Sequence, residues 1–186
     1  MSNDTFCYQM TKKDIKRTIK EHFLLNPTTK LRVRQIERTL NVPLPSVIRY
    51  VKELETEKIV KKIEVANVTI YTADRNEDHF LIEKKLFNLK QLHDSGIIQY
   101  LKDELSNPTI IVFGSYMKGE DIETSDIDLY LETASKKELD LKIFEKVLQR
   151  RIQLFCYSNI KQIKNKNLAN NIINGSVLNG FLEVFR

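Results

Sequence analysis

The sequence has little that would support a metal cluster, a disulfide framework or a membrane anchor. Its two cysteines, Cys7 and Cys156, lie far apart and show no metal-ligand spacing, so we expect two reduced thiols in a cytosolic protein. The three histidines show neither metal spacing nor a neighbouring nucleophile. No apolar run approaches the roughly 18 residues needed to cross a bilayer, and the N-terminal segment lacks the pattern of a secretory signal. We therefore predict a cytoplasmic protein without a membrane partner.

Positive charge is concentrated in the first part of the chain. Residues 1–75 carry 15 Lys and Arg against 9 Asp and Glu, whereas the remaining residues carry 15 against 16. This asymmetry indicates two modules, and it makes the basic one a candidate for nucleic-acid binding. We predict one domain over residues 1–75 and a second over 76–186, with a linker at 74–78.

Residues 11–73 show the pattern of three short helices followed by a β-hairpin. The first helix is predicted to begin by capping at Thr11, the second spans 33–40, and the third begins near Pro45. Two alternating apolar runs flank the polar pair Ala66-Asn67 and predict the hairpin. This order of elements resembles the winged helix-turn-helix fold.

The resemblance to winged helices implies an N-terminal module that binds DNA. In that fold the third helix enters the major groove, and the hairpin touches the backbone. The residues implied in nucleic-acid binding lie on the outer side of the third helix and on the hairpin: Ser46, Arg49, Tyr50, Lys52, Lys61 and Lys62. A solvated charged surface and a protein–protein module are the alternatives.

The strongest chemical pattern begins with an apolar run at 110–113. The run predicts a buried strand, and Gly114 permits a sharp turn where the strand ends. A helix opening at Ser115 would point backbone N–H groups towards a phosphate. The next predicted strand begins with Asp126 and Asp128, which its period of two places on one face. Two such carboxylates repel each other unless a cation lies between them, and Mg²⁺ binds carboxylate oxygens together with substrate phosphates.

The pair Gly114-Ser115, followed after ten residues by Asp126-Ile127-Asp128, resembles the signature of the DNA polymerase β-like nucleotidyltransferases. The similarity is closest to the minimal nucleotidyltransferases and covers residues 85–186. It implies the transfer of a nucleoside monophosphate to an acceptor hydroxyl. The implied donor is ATP or another nucleoside triphosphate, and the implied cofactor is Mg²⁺, with Mn²⁺ as a substitute.

The same resemblance assigns roles to individual residues. It makes Asp126 and Asp128 the catalytic residues and metal ligands. It implies that the nucleotide is bound by the following residues: Gly114, Ser115, Lys118, Gly119 and Ser125.

The sequence departs from the family pattern at one position. The family has a third metal-binding carboxylate on a later strand, predicted here at 151–155, where this chain has Gln153. An amide oxygen can ligate Mg²⁺, but it brings no charge and cannot act as a base. Glu132 is a neighbouring carboxylate that could take its place.

Two functional interpretations follow from these patterns. One is an active nucleotidyltransferase, by resemblance an antitoxin that modifies or binds a partner toxin of the HEPN ribonuclease type. The other is a DNA-binding transcription regulator whose degenerate transferase domain senses a nucleotide. An enzyme acting on nucleic-acid ends is a third possibility, and a homodimer is compatible with each.

The predicted fold class is α+β or α/β. An N-terminal winged helix precedes a nucleotidyltransferase domain with a small mixed β-sheet flanked by helices. Amphipathic patterns predict further helices over 138–149 and 167–180, the second with Gly175 inside it and Val177 facing inward.

Overall fold

The computed structural model describes residues 12–184, so Cys7 and the predicted cap at Thr11 lie outside the described residues. The chain divides into two compact units, unit 1 ending at Phe80 and unit 2 beginning at Leu81. Within the described residues, no helix is long and apolar enough to cross a membrane.

Unit 1 consists of three helices followed by an antiparallel hairpin. Its elements are α1 (Lys12–Leu25), α2 (Val33–Leu40), α3 (Leu44–Thr56), β1 (Val60–Val65) and β2 (Val68–Ala73). Ala66 and Asn67 have φ of 47° and 62°, the left-handed pair that a two-residue hairpin turn favours. A bridge between Leu31 and Tyr71 joins the segment before α2 to the hairpin.

The core of unit 1 includes one stripe of α3. Val47, Val51 and Leu54 are fully buried at helical spacing. The prediction that Tyr50 faces outward was wrong, because this residue is only 6 % exposed. Tyr50 follows Val47 by three positions and therefore lies on the same buried stripe.

Unit 2 is built around a four-stranded mixed sheet. The elements from the unit boundary onward are α4 (Asp78–Asp94), α5 (Ile97–Glu104), β3 (Thr109–Phe113), α6 (Gly114–Lys118), β4 (Ile127–Glu132), α7 (Lys142–Leu148), β5 (Ile152–Tyr157), α8 (Lys166–Ile173) and β6 (Ser176–Asn179). The strand order is β5-β4-β3-β6. β3 pairs antiparallel with β4 and β6, and β4 pairs parallel with β5. The predicted α+β class with a small mixed sheet is confirmed.

The two faces of this sheet bury different clusters. On the first face, Ile127, Leu129 and Leu131 pack with residues of α4, α5 and α7. On the second face, Phe113 and Tyr130 pack with a cluster that includes α8. Because side chains alternate along a strand, Asp128 shares the second face with Tyr130.

The helix predicted over 138–149 is shorter than expected. Only α7 is helical, and Val147, predicted to face inward, is 59 % exposed. Asp140 Oδ1 accepts a hydrogen bond from the Lys142 N–H at 3.1 Å. A side chain that bonds to the backbone in this way favours a turn over a continuing helix.

The helix predicted over 167–180 was wrong beyond Ile173. The chain turns at Gly175 and forms β6, which pairs with β3. A Cβ atom at Gly175 would lie 2.6 Å from the Val112 carbonyl oxygen, so glycine permits this close turn. Val177 lies on β6 and is largely exposed.

Candidate active site

Gly114 lies directly against the carboxylate of Asp128. It follows β3 with φ of 73°, a conformation that glycine adopts without steric cost. Phe113 and Asp128 are register partners in the antiparallel β3–β4 pair. A Cβ atom on Gly114 would lie 2.5 Å from Asp128 Oδ2. The turn after β3 therefore brings bare backbone next to a carboxylate oxygen.

The two predicted metal-binding carboxylates occupy the start of β4. Asp126 is exposed and immediately precedes the strand, while Asp128 is half-buried within it. Burial raises the pKa of Asp128, and the nearby Asp126 carboxylate raises it further. This repulsion is what a bound divalent cation would relieve.

Gln153 occupies the position predicted for the third ligand. In the parallel β4–β5 pair it is the direct register partner of Asp128. The side chain is exposed, so it can reach solvent or a ligand beside the two carboxylates. No group of three or more His, Cys, Asp or Glu suited to a metal ion occurs among residues 12–184.

Glu132 does not replace the missing carboxylate. It lies at the far end of β4, where its Oε2 accepts hydrogen bonds from the Tyr130 hydroxyl at 2.8 Å and from the Ile160 N–H at 3.2 Å. Its contacts give Glu132 a structural role.

The other predicted nucleotide-binding residues have distinct environments. Ser115 is half-exposed beside Gly114, and Lys118 is exposed at the end of α6. Ser125 Oγ accepts a hydrogen bond from the Ile122 N–H at 3.0 Å and so shapes the turn before Asp126.

Gly119 has a packing role that the sequence did not indicate. It ends α6 with φ of 76°. A Cβ atom there would lie 2.5 Å from the Leu81 carbonyl oxygen. Glycine therefore allows the end of α6 to approach the backbone of α4.

A buried polar network lies beside these elements. Lys84 and Asp121 are each 1 % exposed. The Lys84 ammonium donates to Asp121 Oδ2 at 2.8 Å and to Asn88 Oδ1 at 3.0 Å. Asn88 Nδ2 donates to Asp121 Oδ1 at 2.7 Å. Burial lowers the pKa of Lys84, and the Asp121 carboxylate opposes that change.

The sequence signal for this network is the four-residue spacing of the residues on one side of α4. Phe80, Lys84, Asn88 and Leu92 are all buried at four-residue spacing, whereas Leu86 is 57 % exposed. A Lys and an Asn between two buried apolar residues, on one helical stripe, mark a polar cluster inside a core.

The raised pKa of Asp128 leads to a prediction about stability. A folded state that raises this pKa binds the proton more tightly than the unfolded chain does, so ionisation of Asp128 lowers stability as pH rises through the carboxyl range. Without a divalent cation, Asp128→Asn should raise the melting temperature at pH 7 by on the order of 1–2 °C. The difference should disappear below about pH 4, and thermal scans at both pH values check it. A lower melting temperature at pH 7 would contradict the assigned repulsion.

Most cations predicted to bind nucleic acid are paired with carboxylates in unit 1. Arg49 pairs with Glu53 at 2.9 Å, Lys61 with Asp74 at 3.0 Å, and Lys62 with Glu64 at 2.7 Å. Such exposed pairs are screened by solvent and contribute little to stability, so a phosphate could displace them. Among the other predicted residues on α3, Lys52 is exposed, Ser46 is half-buried and Tyr50 is buried.

Comparison with known families agrees with the motif. Residues 95–179 match the family model described as nucleotidyltransferase domain. The matched segment contains the turn at Gly114 together with Asp126, Asp128 and Gln153. The match supports the nucleotidyltransferase superfamily for this part of the chain, and with it a general function in nucleoside monophosphate transfer. Searches of curated proteins and of solved structures gave no match.

Proposed function

We propose that the protein is a divalent-metal-dependent nucleotidyltransferase that moves AMP from ATP to an acceptor hydroxyl. The observation that carries this proposal is the contact between the backbone of Gly114 and the carboxylate of Asp128. It brings a turn suited to phosphate binding next to the carboxylate pair formed with Asp126. Nucleotide and metal would then share one site at the start of β4.

The residues present fit a Mg²⁺ ion. Mg²⁺ is commonly held by one or two carboxylates together with substrate phosphates and water. Asp126 and Asp128 would hold it, with the Gln153 amide oxygen as a neutral neighbour. When bound, the ion would neutralise phosphate charge and stabilise the leaving pyrophosphate. Mn²⁺ prefers similar oxygen ligands.

The chain's own residues orient the reaction. The backbone N–H groups of Gly114 and Ser115, with the Ser115 hydroxyl, bind the β- and γ-phosphates. The acceptor oxygen attacks the α-phosphorus, and the bond to the oxygen bridging the α- and β-phosphates breaks. Pyrophosphate leaves, and the hydroxyl proton passes to water. Since Gln153 cannot take up that proton, we expect slow transfer.

The test is the incorporation of label. The full chain is incubated with Mg²⁺ and ATP labelled at the α-phosphate, alone and in lysate, beside Asp126→Ala/Asp128→Ala. Label that moves to a protein or a nucleic acid, and disappears in the double variant, supports the proposal. Transfer that survives in the double variant would overturn it.

Gln153→Glu tests whether the lack of a third negative charge limits the use of Mg²⁺ at the site. A third carboxylate opposite Asp128 should lower the Mg²⁺ concentration for half-maximal transfer by about tenfold. Gln153→Ala is the matched control and should leave that concentration unchanged or higher. A metal titration of the transfer rate measures both variants. An equal response of Glu and Ala would show that charge at this position does not matter.

The acceptor and the assembly are further proposals. Resemblance to the minimal nucleotidyltransferases favours a partner toxin protein as the acceptor, so that the chain would act as an antitoxin. The lysate experiment separates a protein acceptor from a nucleic acid by the sensitivity of the label to protease or nuclease. A homodimer is also proposed, and light scattering of the purified chain tests it.

A DNA-binding regulator is the second candidate. In unit 1 two grooves with charged residues in their lining adjoin α3. One is lined by Lys52, Lys58 and Lys62, with Glu55 as its acidic member. The other contains two arginines, Arg34 and Arg38, with Glu37 as its acidic member. Excess positive charge on both grooves fits the phosphate backbone of a duplex bound by a winged helix.

Substitutions on α3 test the DNA-binding candidate. Lys52→Ala should weaken binding to all duplexes and reduce the slope of log affinity against log salt by about 1, since a phosphate contact is lost. Arg49→Ala should weaken binding to a preferred sequence more than to bulk DNA. Fluorescence anisotropy over a salt series measures both effects. If neither variant changes binding, the assignment of α3 as the DNA-reading helix is wrong.

A further inference from the structure

The buried network of unit 2 connects three chain segments: α4, α6 and the loop between α6 and Asp126. Lys84 and Asn88 belong to α4, and Asp121 lies in the loop between α6 and Asp126. Asn88 Nδ2 also donates to the Tyr116 carbonyl oxygen of α6 at 2.8 Å. α4 is thereby bonded both to the helix that follows Gly114 and to the loop that leads into β4.

Both carboxylate oxygens of Asp121 accept a hydrogen bond. Its Oδ2 accepts from Lys84 at 2.8 Å and its Oδ1 accepts from Asn88 at 2.7 Å. Arg150, just before β5, places its Nη2 at 3.9 Å from the same Oδ2. With both oxygens engaged and the residue 1 % exposed, the carboxylate has one low-energy arrangement.

Stability alone does not account for such a network. Well-packed apolar residues of similar volume are often as stabilising as a buried ion pair, or more so. What an apolar cluster lacks is directional bonding that selects one relative position of α4, α6 and the loop. The network is therefore better explained by the relative position of α4, α6 and the loop that its hydrogen bonds select.

The chain segments that the network joins lead directly into the residues of the candidate site. Tyr116 follows Ser115 directly. The loop from Asp121 runs through Ser125 to Asp126, and Arg150 precedes the strand of Gln153. Each part of the site is therefore attached, within a few residues, to one member of the network.

We propose that Lys84, Asn88 and Asp121 are positioning residues that hold Ser115 and Asp126 in the arrangement needed for nucleotide and metal binding. The proposal rests on the proposed nucleotidyltransferase function. None of the three residues contacts the reacting atoms in this assignment; they act through the loop and α6.

The test is a variant of the full chain in which the network becomes apolar, Lys84→Met/Asn88→Leu/Asp121→Val. It removes Lys84, Asn88 and Asp121 together, so that neither charge of the Lys84–Asp121 pair is left buried alone. Arg150 loses its nearby carboxylate but keeps its hydrogen bond to the Gln149 carbonyl oxygen. The matched control is Lys90→Met/Asp94→Val, which removes an exposed ion pair from the same helix. Three quantities are compared: hydrogen exchange of residues 119–126, Mn²⁺ binding in the presence of ATP by electron paramagnetic resonance, and transfer of label from ATP.

The expected result is a folded variant with a loosened site. Exchange at 119–126 should accelerate by about tenfold or more, while β3 amides keep their protection. Mn²⁺ affinity and the transfer rate should each fall by about 10–100-fold, as when an outer partner of a metal ligand is lost. The control should resemble the wild type in all three quantities.

Other results of the same measurements would overturn the proposal or require a second variant. A folded triple variant with wild-type exchange and wild-type Mn²⁺ affinity overturns the proposal. If the triple variant does not fold, Asn88→Ala decides, because it removes the bond to α6 and keeps the ion pair. If the wild type transfers no label and binds no Mn²⁺ with ATP, the proposed function fails and the positioning role for nucleotide and metal fails with it, while exchange at 119–126 still shows whether the network holds the loop.

Discussion

Gly114→Ala is expected to lower nucleotidyl transfer about a hundredfold. The added Cβ atom would lie 2.5 Å from Asp128 Oδ2, so the carboxylate must move aside. A displacement of about 1 Å at a reacting centre is enough for a rate loss of this size. The carboxylate is the end of a rotatable side chain, so the fold can accommodate the change. The loss should therefore appear in metal binding and transfer rather than in folding.

Gly96→Ala is the matched control for that prediction. Gly96 has φ of 79°, close to the 73° of Gly114, but a Cβ atom there would meet nothing within 4 Å. Both variants should lose about 1–2 kcal/mol of stability from the left-handed backbone. Only Gly114→Ala should lose Mg²⁺-dependent ATP binding, measured by calorimetry, and transfer. Equal transfer rates in the two variants would mean that Gly114 is needed only for the turn.

Lys84→Met alone should destabilise unit 2 by about 3–5 kcal/mol, because it leaves the Asp121 carboxylate buried without its main counter-charge. The triple apolar variant should recover part of that loss, since it removes the unpaired Asp121 charge, although Arg150 loses its nearby carboxylate. Urea titration of the full chain, followed by circular dichroism and by hydrogen exchange in β3 and β4, measures the difference.

The comparison of Lys84→Met with the triple variant separates two roles of the network. If the single substitution costs less than about 1 kcal/mol, the Lys84–Asp121 pair is not tightly coupled. If the triple variant is as unstable as the single one, the bonds stabilise the fold itself. Recovery of stability together with a slow transfer rate is the combination that a positioning role requires.

Much of the site could be predicted from the sequence because its signals are local. The strand at 110–113, the turn at Gly114 and the alternation of Asp126 and Asp128 each depend on neighbouring residues. The strand that carries Gln153 was also predicted, and the structure shows that this residue pairs with Asp128. The hairpin around Ala66-Asn67 was predictable for the same reason, since its turn residues lie between two alternating runs.

The features that were missed depend on tertiary contacts. Residues 174–180 contain apolar positions that fit a helix or a short strand equally well. The strand forms because its backbone pairs with the edge of β3 that β4 does not occupy. Tyr50 has a polar tip on an apolar body, and the helical phase set by Val47 buries it. The stripe of α4 that contains Lys84 does not identify its partner, because Asp121 is distant in sequence.

The place of Gln153 on the sheet has an evolutionary consequence. β5 is an edge strand of the four-stranded sheet, and the Gln153 side chain is exposed, so exchanging amide for carboxylate there disturbs little packing. Asp128, by contrast, is on β4, which is flanked by β3 and β5, and its carboxylate lies against Gly114. A single base change converts a Gln codon to a Glu codon. A lineage with this architecture can therefore gain or lose a negative charge beside Asp128 in one mutational step, while the neighbouring residues are inherited intact.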